Sequence, residues 1–184
     1  MVLRLFSIFA LCLLIAFSFA GCSPDAGNLL SFRDYPASFT ARFPSSADEN
    51  GEVVCEAVLR DGEVSLTITE PERSAGISVT CSADFCTVES GGTVIPMSNE
   101  AAASLRAFVL VLTEQTEGDI PTRSSDGGST VLGFADGTLT LDENLLPCAV
   151  VCEGMNGAER RIIIENYTII KDDSAETDSA DDPE

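Results

Sequence analysis

From Ser38 onward the chain is a succession of short segments in which every second residue is apolar. A period of two restricts such a chain to strands that bury one face of a sheet and wet the other. In 38–43 the shared face is Phe39, Ala41 and Phe43; in 52–60 it is Val53, Cys55, Ala57 and Leu59. In 63–69 Val64, Leu66 and Ile68 alternate with Ser65, Thr67 and Thr69. Asp61-Gly62 separates the last two segments, and that dipeptide suits the left-handed backbone of a two-residue hairpin turn. Pro71 breaks the run. Ile77, Val79 and Cys81 resume it, Cys86 and Val88 follow a second turn, and Val94 and Ile95 follow Gly91-Gly92. Further strands are read at 129–134, after the Asp136-Gly137 turn at 138–142, at 147–153 and at 160–170, while 117–128 reads as loop.

One segment has a different period. After Ser98, read as an N-cap with Glu100 in the first turn, Ala102, Leu105, Phe108, Val109 and Leu112 recur at helical spacing. Val109, Leu110 and Val111 make this helix apolar almost all round, so most of its surface must be covered. The last 13 residues, 172–184, hold seven acids and no base, and read as a disordered acidic tail.

The N-terminus gives the address. Arg4 precedes an apolar stretch from Leu5 to Phe19 that closes on Ala20, Gly21 and Cys22, the three regions of a secretory signal. The stretch is shorter than the roughly 20 residues that cross a bilayer. Phe19-Ala20-Gly21-Cys22 resembles the lipobox of bacterial lipoproteins, with Phe19 where Leu is usual. That resemblance implies a signal peptide over 1–21, a diacylglyceryl (palmitate-type) group on Cys22, a tether over 22–34, and a location on the extracytoplasmic face of the bacterial cell membrane. An uncleaved anchor and an ordinary secreted protein are the alternatives. The net charge of −20 opposes binding to nucleic acid or anionic headgroups, both of which rely on Lys and Arg. Membrane attachment must then come from the lipid.

Histidine is absent, which removes Ser-His-Asp and Cys-His catalysis and every imidazole metal site. Neither the acids nor the cysteines supply another catalytic or metal site: no enzyme, no metal and no cofactor are expected. Of seven cysteines, Cys12 leaves with the signal and Cys22 carries lipid, so Cys55, Cys81, Cys86, Cys148 and Cys152 remain. Cys148 and Cys152 stand four apart on one strand, about 13 Å at about 3.3 Å per residue, beyond disulfide reach. Cys81 and Cys86 could face each other across a hairpin and bond; the other reading makes them small buried hydrophobes. Asn166-Tyr167-Thr168 matches a glycosylation sequon, read as coincidence behind a bacterial lipobox.

Hairpins, one apolar helix and more hairpins behind a lipobox, with Thr69 to Ile77 (TEPERSAGI) and the closing run from Asp136 to Ile162, resemble the LolA/LolB-like lipoproteins, especially Firmicutes-type members. The resemblance covers 35–171. It implies a mainly β fold, a curved antiparallel half-barrel of about 9–11 strands with a lid helix on its concave face. It also implies a cavity for a hydrophobic (lipid or acyl) ligand, whose walls on this chain would be Val53, Leu66, Ile68, Val79, Leu105, Phe108 and Leu112. The alternative is a non-enzymatic module that supports another cell-envelope protein, its interior filled by its own side chains.

Overall fold

A computed structural model describes residues 29–45, 51–113, 122–126, 128–153 and 157–171. The signal and lipobox, Cys22, most of the tether and the acidic tail lie outside the described residues.

The alternating segments are strands: β1 (Ala37–Pro44), β2 (Glu52–Arg60), β3 (Glu63–Glu70), β4 (Ser78–Cys81), β5 (Cys86–Ser90), β6 (Thr93–Pro96), β7 (Thr122–Asp126), β8 (Ser129–Phe134), β9 (Gly137–Leu141), β10 (Pro147–Glu153) and β11 (Glu159–Ile169). They form one antiparallel sheet in the order β6-β5-β4-β3-β2-β1-β11-β10-β9-β8-β7, curved but not closed. It is two meanders of hairpins joined where the first strand pairs the last, Ala41 opposite Ile164. The helix α1 (Asn99–Thr113) lies between β6 and β7 in the chain. Those strands are opposite edges of the sheet, so the connection must cross a face, and α1 packs against β3, β4 and β5 on one side and β9 and β10 on the other. The expected half-barrel with its helix is the observed fold.

Side-chain size explains how the helix seats. Several inward positions of β1 and β2 are small, Ala37, Ala41, Cys55 and Ala57, all buried. The space they leave takes large groups: Phe108, Val109, Val111 and Leu112 of α1 share one core with Leu59, Val64, Leu66, Leu132, Leu139, Leu141 and Ile162. Ser98 caps the helix as expected, its Oγ accepting from the Ala101 N–H at 3.3 Å. Two arginines then tie α1 to its surroundings, Arg106 from the helix and Arg33 from outside it. Arg106 donates Nε to the Ala83 carbonyl at 2.8 Å, and Arg33 donates to the Val111 carbonyl at 2.6 Å.

Two regions differ from the sequence reading. The loop expected over 117–128 contains β7, an edge strand of sequence TRSSD paired with β8. A strand that buries neither face carries no apolar alternation, so periodicity cannot reveal it. The tether ends early as well. Leu29 and Phe32 are 3% and 2% exposed within the core, and Ser31–Asp34 is a 3-10 turn. The globular part thus begins by residue 29, because Phe32 meets the edge of the Tyr167 ring at 6.1 Å.

Tyr167 reaches that position through a bulge. Pairing steps from Ser38 opposite Thr168 to Thr40 opposite Glu165, so β11 carries an extra residue there, and Asn166 has φ 55°. Strict alternation after Ile162 and Ile164 would point Tyr167 outward; the extra residue turns it back onto the core. It stacks on Phe39 at 5.6 Å, Phe39 meets Phe108 at 6.5 Å and Phe108 meets Phe43 at 5.6 Å. Burial pushes the Tyr167 hydroxyl up to about 12.

Candidate functional site

The concave face is largely filled by this aromatic row, and the opening that remains lies beside the first half of α1. Ala101, Ser104 and Leu105, at i, i+3 and i+4, present one helix face to the ends of three strands: Phe43 and Pro44 of β1, Cys152 of β10, and Arg160 and Ile162 of β11. They enclose a half-open, mainly apolar cleft of about 240 Å³.

Three polar groups stand in its wall. The Cys152 thiol donates to the Ser104 carbonyl at 3.6 Å. Burial raises the Cys152 pKa and outweighs the lowering by Arg160, so this thiol stays protonated. The Ser104 hydroxyl is buried and has no hydrogen-bond partner among the described residues. Arg160, half-buried, takes part in neither of the ion pairs found among the described residues, both of which belong to Arg42, with Glu52 at 3.4 Å and Glu165 at 2.9 Å.

Of the seven expected cavity residues, only Leu105 lines this cleft. Leu66, Phe108 and Leu112 are core instead, at 2%, 0% and 0% exposed, because side chains of α1 and of the sheet fill the space between them rather than leaving an empty bowl. Val53, Ile68 and Val79 pack on the margin of the core. Leu112 also meets a small polar hollow of about 150 Å³ near the β2–β3 turn. A wider trough of about 670 Å³, open and bordered by Asp136, Glu153 and Glu159, runs between Ala103 and Ala107 of α1 and the ends of β9 and β10. Phe43, Ser104, Cys152, Arg160 and Ile162 were not anticipated as cleft residues. The signal for Arg160 was present, since the alternation that turns Ile162 and Ile164 inward also turns Arg160 inward.

Cys81 and Cys86 face each other across the β4–β5 hairpin, 4.2 Å apart at Cα, and are disulfide-bonded. Cys55, Cys148 and Cys152 are free thiols. Burial pushes Cys55 up to about 11 and raises Cys148 too, so none has the lowered pKa of a reactive thiol. No cluster of His, Cys, Asp and Glu that could hold a metal ion occurs among the described residues, and no helix among them is long and apolar enough to cross a membrane.

No family model matches the chain, and no curated protein matches it. Among solved structures it is similar to an uncharacterized conserved protein from Thermus thermophilus, at 13% identity and TM-score 0.43, over 79% of this chain and 87% of that one. It is similar also to a LolA superfamily protein from Nitrosomonas europaea, at 13% identity and TM-score 0.40, over 79% and 94%. A third is a putative outer membrane lipoprotein-sorting protein domain from Vibrio parahaemolyticus, at 9% identity and TM-score 0.39, over 79% and 93%. Likeness this distant assigns neither a family nor an activity.

Proposed function

We propose that this chain is a lipid-anchored, non-enzymatic protein of the bacterial cell envelope that binds or hands on a hydrophobic (lipid or acyl) ligand. The observation that carries the reading is the cleft beside α1, where Phe43, Ala101, Leu105 and Ile162 leave apolar surface uncovered at the mouth of a folded half-barrel. At about 240 Å³ it is smaller than the roughly 300–1,000 Å³ of sites that enclose a drug-sized molecule. It suits one alkyl chain or part of one. The purified full-length protein is expected to shift the emission of a lipophilic dye, a change that added alkyl ligand reverses; a folded protein that leaves the dye unchanged overturns the reading.

The anchor is tested separately. Cys22 supplies the only thiol of the Phe19–Cys22 motif, so Cys22→Ala is expected to abolish incorporation of radiolabelled fatty acid and leave a larger, uncleaved precursor. Labelling that persists in the variant would remove the lipid anchor from the proposal.

The second reading, a module that supports another envelope protein, is favoured by a different feature. Val94 and Ile95 of edge strand β6 are each 59% exposed, and an apolar open edge is a template for a strand from elsewhere.

A further inference from the structure

We infer that the cleft reads the head of its ligand as well as its chain, and that it takes a single alkyl chain ending in an anion, a carboxylate or a phosphate. The inference rests on the ligand-binding reading above and specifies the chemical class.

Thirty acids against ten bases make a carboxylate the easiest partner for any arginine in this chain to find. Arg160 nevertheless turns its side chain into an apolar cleft and makes no ion pair among the described residues. Its position explains why. On the inner face it stands opposite Cys152 and two residues before Ile162; the acids nearest along the strands, Glu153 and Glu159, alternate away from it, border the separate trough and do not pair with it. A half-buried cation without a counter-charge is free to receive an incoming anion at the cleft. The Ser104 hydroxyl lies in the same wall, buried and unpartnered. A helical serine can usually bond the carbonyl four residues back, and this one does not. One guanidinium and one free hydroxyl, beside a thiol already committed to the Ser104 carbonyl, match an anionic oxygen pair followed by methylenes. The volume of about 240 Å³ admits one such chain and not the several chains of a whole membrane lipid.

The test titrates the full-length protein by calorimetry with dodecanoate, dodecyl phosphate and uncharged methyl dodecanoate. At least one anion is expected to bind roughly tenfold or more tighter than the ester, as hydrogen bonds to a charged group allow; the tighter of the two identifies the head. Arg160→Gln should erase that difference while leaving ester binding in place. Ser104→Ala should weaken the anion several-fold yet raise the melting temperature, because alanine suits a helix better and removes an unpaired buried hydroxyl. A purely structural role for Ser104 would not move affinity and stability in opposite directions. Equal binding of all three ligands, or an equal loss of all three in Arg160→Gln, overturns the inference and leaves the hydrophobic-ligand reading standing. If a folded protein binds none of them, both fall.

Discussion

Phe108→Ala is expected to cost about 3–5 kcal/mol of folding stability, the range for removing an aromatic ring from a packed core. Phe108 is fully buried and touches two other rings, Phe39 and Phe43, at 6.5 and 5.6 Å. Its removal takes away those contacts and leaves a void between α1 and β1. Its neighbours Phe39 and Phe43 are held on strand β1, so they can fill the void only in part. A domain of this size has about 5–15 kcal/mol in all, so the variant should unfold at much lower denaturant, with a midpoint shift measurable by circular dichroism. Phe108→Leu keeps most of the volume and should cost about 1.5 kcal/mol or less. If Phe108→Ala cost no more than Phe108→Leu, the ring would be facing an open cavity and the filled core described above would be wrong.

The sheet was legible in the sequence and its contents were not. Period-two alternation located nine of the strands because each turns one face inward, Gly91-Gly92 marked the turn into β6, whose residues are all exposed, and Asp61-Gly62 marked its turn because both residues take positive φ, 53° and 78°. Periodicity does not show β7 because Thr122 to Ser125 are exposed on both sides, nor Leu29 and Phe32 because two apolar residues in a turn-rich stretch show no period. Alternation also says which face a residue occupies but not what covers that face. Leu66, Phe108 and Leu112 were therefore assigned to a cavity wall when they are core, while Arg160, equally inward by parity, was overlooked. Where α1 lands is decided by the sizes of facing side chains across strands distant in sequence, a property of the assembled sheet.

Two aspartates on one helix are expected to separate core from cleft. Leu112 is fully buried in the core, with only the small hollow lined by Arg33 and Arg60 at its margin, so Leu112→Asp forces a carboxylate into a packed site; burying it ionised or forcing it to protonate costs several kcal/mol. That is comparable to the whole stability of a small domain, and the variant should show no cooperative melting transition at neutral pH. Leu105 stands seven residues earlier and is only half-buried, bordering the open cleft. There an aspartate keeps contact with water and shares the cleft with Arg160, so Leu105→Asp should fold, losing roughly 1–2 kcal/mol. Dye or alkyl binding should nonetheless fall at least about tenfold, since the carboxylate replaces the apolar wall and occupies the cation that an anionic head would use. Both proteins are followed by melting and by ligand titration under the same conditions. A Leu105→Asp protein that folds and binds as the wild type does would move the ligand site away from α1, and one that fails to fold would make Leu105 part of the same closed core as Leu112.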